Sequence, residues 1–339
     1  MILVTGGTGL VGSHLLVELA QKGERIRAIK RTSSSTGFVS WVFGLYCPSP
    51  NQLLNLIDWV DADLTDYQSL LSVTEGVDTV FHAGAVVSFN PSQASSMNTT
   101  NILGTANLID ACLVNGVKNF CHVSSVATLG DANGLGVVDE SCKWTKSKNQ
   151  SSYAKSKFLG ENEVWRGSEH GLRVIVVNPS VILGPGRWDG GSGQLFKQVK
   201  KFMPFYTEGV TGYVDVRDVA KAMVLLTENQ QITGERFVLN SQNLSYRAVF
   251  STMAKNLDKK PPRIKINPRI VNVVYPFIFT MGLIAGKGTA ISKSNLKSAF
   301  SKTYYSAHKI TEKLGFSFTP IEETIDFVAK IYLNSGPRH

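Results

Sequence analysis

The 339-residue chain is sparing with the residues that announce several common chemistries. Its four cysteines, Cys47, Cys112, Cys121 and Cys142, stand far apart with no C-x-x-C pair among them. That excludes a disulfide framework and zinc-finger spacing, and suits reduced, buried thiols in a cytoplasmic protein. The six histidines are scattered, so no metal is expected. His82 and His122 fall inside apolar strands and read as core residues. No G-x-S-x-G elbow exists and no lysine follows a glycine loop, which removes serine hydrolases and P-loop nucleotidases. No positively charged leader stands ahead of "MILVTGG", so no targeting segment is expected.

Charge is modest at 18%, and hydrophobic residues make up 43%, the balance of an ordinary globular protein. The net charge of +9 is uneven. Residues 1–170 hold 12 Lys/Arg against 15 Asp/Glu; residues 171–339 hold 23 against 11. A basic second half suits an anionic substrate or an anionic lipid surface. Without zinc-finger spacing or an aromatic RNA-binding signature it does not indicate nucleic acid. Segment 255–302 carries ten of these cations and one acid, Asp258, and encloses the apolar run "IVNVVYPFIFTMGLIA" at 270–285. Sixteen residues interrupted by Asn272, Pro276 and Gly282 fall short of the roughly 20 needed to span a bilayer. The run reads as a helical wall of an apolar pocket; its alternative is a peripheral membrane contact that admits a lipophilic substrate.

What is present in quantity is alternation. "ILVTG" is a strand, "HLLVELAQKG" a helix, "RIRAIK" a second strand, and the insertion-like stretch 31–57 contains at least one helix. "IDWVDADL", "VDTVFHAGA", "VKNFCHVSS" and "LRVIVVNPSVILGPG" read as strands three to six, separated by "YQSLLSVTEG" and "NILGTANLIDACLVNG" as helices. Strands alternating with helices of this length predict a parallel, doubly wound α/β sheet. Ligands then bind beyond the carboxyl ends of its strands. "GYVDVRDVAKAMVLLTENQ" reads as a strand and helix returning to the main domain. The expected division is 1–185 with 213–240 as the dinucleotide-binding domain, and 186–212 with 241–339 as a smaller C-terminal substrate lobe.

"TGGTGLVG" places Gly6, Gly9 and Gly12 between a strand and a helix, the context a dinucleotide turn requires. Gly6 permits the tight turn, Gly9 lets backbone N–H groups approach a pyrophosphate, and Gly12 allows close helix packing. The second strand ends in Lys30 and Arg31, then Thr32 and Ser33, where an NAD site usually carries an acid. Two cations and two hydroxyls suit a 2′-phosphate, so NADP(H) is favoured and NAD(H) remains the alternative.

In "SSYAKSK", Tyr153 and Lys157 lie four apart and share a helix face, whereas Lys155 points elsewhere. Set beside the glycine turn and "HVSS" at the end of the fifth strand, this pair resembles the catalytic motif of the extended short-chain dehydrogenase/reductase family, also called the epimerase/dehydratase family. The similarity runs over nearly the whole chain. It includes Asp63-Leu64, the trio Ala83, Gly84 and Ala85, Asn101-x-x-Gly104-Thr105, and the closing "AHKITEKLGFSFTPIEETI". It implies a Rossmann-type fold and a site built from Ser125, Tyr153, Lys157 and Asn101. Ser125 lies five residues before Gly130, with Ser124 its competitor. The implied cofactor contacts are Gly6, Thr8, Gly9, Leu10, Val11, Gly12, Lys30, Arg31, Asp63, Leu64, Ala83, Gly84, Ala85, Val123, Tyr153, Lys157, Pro179 and Ile182.

In that resemblance Tyr153 is the general acid or base. Lys157 lowers the phenol's pKa and holds the nicotinamide ribose, Ser125 donates to the reacting oxygen, and Asn101 supports the lysine through water. Gly84 replaces the usual alanine, and Asn178 stands where many nucleotide-sugar members have arginine. "VNPSVILGP" is closer to the dihydroflavonol reductase and cinnamoyl-CoA reductase branch. The implied activity is NADP(H)-dependent reduction of a ketone or aldehyde, or oxidation of the alcohol, acting on a small carbonyl or alcohol substrate. A nucleotide-sugar epimerase or dehydratase using bound NAD is the enzymatic alternative, and an NADP-sensing protein the non-enzymatic one. Family members often form homodimers through the tyrosine helix.

Overall fold

The computed structural model describes residues 1–88, 90–132, 136–145, 150–267 and 299–335. The apolar run 270–285, and the expectation attached to it, lies outside the described residues. Among those residues no helix is long and apolar enough to cross a membrane.

In chain order the strands are β1 (Ile2–Thr5), β2 (Ile26–Lys30), β3 (Ile57–Asp61), β4 (Thr79–His82), β5 (Asn119–Val123), β6 (Arg173–Pro179), β7 (Val181–Leu183), β8 (Phe205–Tyr206), β9 (Val210–Asp215), β10 (Glu235–Leu239), β11 (Gln242–Ser245) and β12 (Ile264–Lys265). Seven of them form one parallel sheet in the order β10-β6-β5-β4-β1-β2-β3. The strand order reverses at β1, which pairs with β2 on one side and β4 on the other. That switch point is where an open α/β sheet leaves a crevice for a ligand.

The helices are α1 (Leu10–Gln21), α2 (Gly37–Tyr46), α3 (Pro50–Leu54), α4 (Tyr67–Thr74), α5 (Ala94–Asn98), α6 (Gly104–Val114), α7 (Ser152–Glu169), α8 (Gly193–Lys201), α9 (Val216–Glu228), α10 (Tyr246–Asn256), α11 (His308–Leu314) and α12 (Ile321–Ser335). Successive strand residues point to opposite faces, and both faces are covered. Val4, Phe81, Cys121 and Ile175 pack with α1, α2 and α9 through Leu15, Phe43 and Met223. Their neighbours Leu3, Val80, Phe120 and Val174 pack with α4, α6 and α7 through Leu70, Leu108 and Val164. The insertion-like stretch therefore serves the core, since Val39, Val42 and Phe43 of α2 are fully buried. All four cysteines are free and buried.

Two expectations meet a different arrangement. "RVIVVNPSVIL" is not one strand but two: β6 stays in the main sheet, and β7 joins β9 and β11 in a three-stranded sheet. The break falls at Ser180, whose N–H and hydroxyl both donate to the carbonyl of Leu239. The strand of "GYVDV" likewise belongs to the smaller sheet, and α9 and β10 are the elements that return to the main one. A second core of Leu183, Trp188, Phe196, Tyr213, Met253 and Ile325 lies under the smaller sheet.

The glycine turn shows why glycine is needed at two of its positions. Gly6 has φ of +71°, and a Cβ there would lie 2.5 Å from the Gly84 nitrogen. A Cβ on Gly12 would lie 2.1 Å from the Gly6 carbonyl oxygen. Both contacts are with backbone, which cannot rotate away. Gly12→Ala is therefore expected to destabilise the fold by about 1–3 kcal/mol, the usual range for overpacking a tight interface. In urea the midpoint should fall with the slope unchanged; an unshifted midpoint would show that α1 can move off the turn.

Candidate active site

The carboxyl ends of β1 and β4 meet at the switch point. The Ala83 N–H donates to the Thr5 carbonyl, and the Gly84 N–H to the Thr5 hydroxyl oxygen. Gly9 caps α1 in an extended conformation and its N–H closes the turn onto Gly6 at 2.9 Å. Thr8, Leu10 and Val11 are all partly exposed around this turn. Glycines that bring the β1–α1 turn against the end of β4, below a helix N-terminus, fit a dinucleotide pyrophosphate.

Behind this face runs a chain of polar groups. Thr5 Oγ1 lies 2.7 Å from His82 Nδ1, and His82 Nε2 lies 3.0 Å from Thr105 Oγ1, whose hydroxyl donates to the Asn101 carbonyl. One tautomer, with the proton on Nε2, satisfies every link. Burial pushes His82 down to about 3, with the Lys157 charge acting in the same direction, so the ring is a neutral structural bridge. His122 is also buried and held well below its usual pKa by burial. Both are core histidines.

At the adenosine end the register of β2 and β3 sets Lys30 opposite Asp61, and the two side chains form an ion pair. An acid therefore does stand at the end of the second strand, delivered by its neighbour rather than by β2 itself. Asp61 is held below the usual carboxylate pKa, first by its bond to Lys30. Arg31 is exposed, and its charge helps to lower the pKa of Asp63 behind that carboxyl's bonds to Thr65. Asp63 is thus turned onto the Thr65 backbone and hydroxyl. Leu64 is wedged against Gly104, where a Cβ would lie 2.8 Å from its own, and its carbonyl accepts from Asn107.

Asn101 sits in a single π-helical turn, Thr99–Leu103, ahead of α6. Its side chain exchanges two hydrogen bonds with the Val86 backbone and donates to Ser156 Oγ on α7. The amide is fully used in holding the loop after β4 against α7. α7 can approach this closely because a Cβ on Gly160 would lie 2.3 Å from the Asn101 carbonyl oxygen.

Helix α7 starts with Ser151, whose hydroxyl accepts from the Ala154 N–H as a cap. Tyr153 and Lys157 follow on one face, and Lys155 is exposed. The Tyr153 phenol is hydrogen-bonded to Ser125; burial pushes its pKa up, and that bond acts against the rise. Lys157 is 4% exposed and donates to the Val123 carbonyl at 2.7 Å. One of its three N–H donors is thus engaged at the end of β5. Lys157 is itself pushed down to about 8 by burial, with the charge of Glu161 acting the other way.

The two competing serines part company here. Ser124 is buried and donates to Glu161 Oε2. Ser125 caps the short turn Val126–Thr128, accepting from the Ala127 N–H, and faces Tyr153. Ser125 and Tyr153 are brought together one helical turn from Lys157; Pro179 ends β6 and Ile182 lies in β7.

Sequence reasoning passed over Glu161. Its carboxylate is 2% exposed and accepts from Ser124, Thr128 and Asn178 on Oε2, and from Trp165 on Oε1. Arg236 stands 3.6 Å away. The available signal was spacing: Tyr153, Lys157 and Glu161 repeat every four residues along one helix face.

A seven-stranded, doubly wound sheet with a glycine turn at its switch point and a serine–tyrosine–lysine cluster at its carboxyl edge defines an extended short-chain dehydrogenase/reductase. Residues 2–239 match the model of the NAD dependent epimerase/dehydratase family, and the chain belongs to that family of NAD(P)-dependent, oxidoreductase-type enzymes. It is similar to a putative dihydroflavonol 4-reductase of Synechocystis sp., 27% identical across 98% of this chain and 94% of the relative. Cinnamoyl-CoA reductase 1 of Petunia hybrida is also 27% identical, across 99% and 93%. Among solved structures, gox2253 superposes with a TM-score of 0.82 at 25% identity, covering 100% of this chain and 99% of the other. UDP-glucose 4-epimerase of Thermus thermophilus, solved with NAD, shares the fold at a TM-score of 0.74 and 19% identity, covering 99% of each.

The serine geometry gives a paired expectation. Ser124→Ala leaves the buried carboxylate one donor short and should cost about 1–3 kcal/mol of stability, while turnover falls less than about tenfold. Ser125→Ala removes the hydroxyl that faces Tyr153 and is expected to lower turnover by about 10²–10³-fold. Calorimetry and steady-state rates on the two variants check this; the opposite pattern would make Ser124 the catalytic serine.

Proposed function

We propose that the protein is an NADP(H)-dependent reductase of ketones or aldehydes, able to oxidise the matching alcohol. The observation that carries the reading is the Ser125–Tyr153 hydrogen bond beside the buried Lys157 ammonium, at the sheet edge where family members hold their nicotinamide. The glycine turn, Lys157 and the ends of β4 and β5 would hold the dinucleotide, which when bound supplies or accepts the hydride.

The chain's own part is the proton and the oxygen. Burial keeps the Tyr153 phenol protonated, which suits a general acid that gives its proton to a carbonyl oxygen during reduction. Ser125 already accepts from the Ala127 N–H, so its hydroxyl proton is directed to a second oxygen, that of Tyr153 or of a substrate. The Lys157 cation, one helical turn from Tyr153, stabilises negative charge as the phenol gives up its proton. Relatives named as reductases of a dihydroflavonol and of cinnamoyl-CoA support an oxygenated or thioester carbonyl as the substrate. The positive second half of the chain favours an anionic one.

A screen at the NADPH absorbance band against aldehydes, flavanonols, acyl-CoA thioesters and sterols is the direct test. With any substrate it finds, Tyr153→Phe should lower turnover by about 10²–10⁴-fold and leave NADPH affinity nearly intact. Lys157→Ala should damage both, and Lys155→Ala neither. A Tyr153→Phe variant as active as the wild type would remove the tyrosine from the chemistry.

Cofactor choice follows from the Lys30–Asp61 pair. Since Asp61 occupies Lys30, Arg31 is the cation available to a 2′-phosphate. Arg31→Ala should therefore reduce the preference for NADP by about tenfold or more, the worth of one charge-assisted hydrogen bond. Lys30→Ala should reduce it less, and Asp61→Asn should raise NADP affinity. Dissociation constants for both dinucleotides check the series; equal binding by the wild type would leave these charges without a role in selection.

A further inference from the structure

Among the buried titratable groups that the serine–tyrosine–lysine scheme does not use, Glu161 lies one helical turn from Lys157. Four hydrogen-bond donors and one cation, from four separate elements, converge on it. Ser124 and Thr128 come from the two ends of the turn that carries Ser125, Asn178 from β6, Arg236 from β10, and Trp165 from the next turn of α7. The Asn178 amide nitrogen also lies within 3.1 Å of the Ser125 carbonyl oxygen and 3.0 Å of Thr128 Oγ1, its two hydrogens shared among these and Glu161, so the Ser125 turn is gripped from both ends and from behind. No acceptor is aimed at the Glu161 oxygens in these contacts; the set fits an acceptor-only carboxylate.

We infer, resting on the reading of the site given above, that Glu161 is its positioning residue: its carboxylate fixes the Ser125 turn to the helix of Tyr153 and Lys157, and is the counter-charge of Lys157. The two halves of this role come from one fact of geometry. A helix offers the position four residues beyond Lys157 to the same face, and β5 ends above that face, so one carboxylate reaches both the turn and the field of the lysine. The groups facing Lys157 are few. Tyr153 and Glu161 lie on its own helix, His82 on β4 and His122 on β5, and burial keeps both imidazoles neutral. Arg236 on β10 faces Glu161 rather than the lysine. Glu161 is the acid whose charge opposes the effect of burial on Lys157.

The sign of the consequence is fixed. Lys157 is charged below its pKa, so whatever its ammonium holds is held below that pH and released as pH rises through it. Without the negative charge at 161 the release comes at lower pH.

The test uses the full chain and NADPH as probe. Its dissociation constant is followed by fluorescence from pH 6 to 10 in the wild type, Lys157→Met, Glu161→Gln and Glu161→Asp. The wild type should lose affinity as pH rises through about 8. Lys157→Met should bind weakly with no such step. Glu161→Gln should show the step displaced downward by roughly one pH unit. Glu161→Asp keeps the charge and shortens the reach, so its step should stay near the wild-type pH while its melting temperature drops by roughly 4 °C or more. A step at the wild-type pH in Glu161→Gln overturns the inference. If that variant does not fold, a displaced step or an unchanged melting temperature in Glu161→Asp overturns it instead. A wild type and Lys157→Met with the same profile would overturn the lysine assignment itself, a separate failure.

Discussion

Everything at the carboxyl edge of the sheet depends on one buried carboxylate being fully satisfied. An unpaired charge in such a place would be untenable, and removing one partner of a buried polar cluster costs more than the cluster contributes as a whole. Glu161 answers that constraint with hydroxyl, amide and indole donors drawn from α7, β6 and the turn after β5, and with the Arg236 guanidinium of β10 standing 3.6 Å away. The same solution makes those elements rigid with respect to one another. Ser125 and Tyr153 can then meet without either being long, mobile or exposed. Asn178 takes its meaning from this cluster. With the side chain fully buried and shared between Glu161, Thr128 and the Ser125 carbonyl, it belongs to the scaffold of the site rather than to a substrate pocket.

A second constraint acts at the switch point. The β1–α1 turn meets the end of β4 at Gly6 and closes on α1 at Gly12, and the start of α6 meets Leu64 at Gly104, all at distances only glycine allows. The Thr5–His82–Thr105 chain then supplies hydrogen bonds to polar groups that this compaction strips of water. Close packing and polar satisfaction are achieved together, which is what a site needs if its groups are to stay in place.

Much of this could be read from the sequence, for definable reasons. Strand and helix periods, the glycine turn and the Tyr153–Lys157 spacing are local signals, each contained within a dozen residues. The parallel sheet, the family and the flanking helices followed from them. What escaped was carried by register or by distant partners. The Lys30–Asp61 pair exists because β2 and β3 align residue 30 with residue 61, which neither strand announces alone. The split of β6 from β7 was hidden because an apolar run looks the same whether it serves one sheet or two. Glu161 was hidden because most of its partners lie on other elements, although its spacing from Lys157 was in plain view. The strand β10 is short and half-polar in sequence, and its place is set by Gly234 and by pairing with β6.

The break at Ser180 has a mechanical meaning. The chain passes from the large sheet to the small one through this single residue, with both of its donors fastened to Leu239 on the adjacent strand. On the far side, a Cβ on Gly212 of β9 would lie 2.8 Å from the Ser180 Cβ, so the small sheet sits directly on the junction. A joint this short and this braced transmits torque instead of absorbing it. Load applied to the smaller sheet is therefore passed to β6, and through Asn178 to the serine turn, which makes the two sheets a single lever with its fulcrum beside the chemistry.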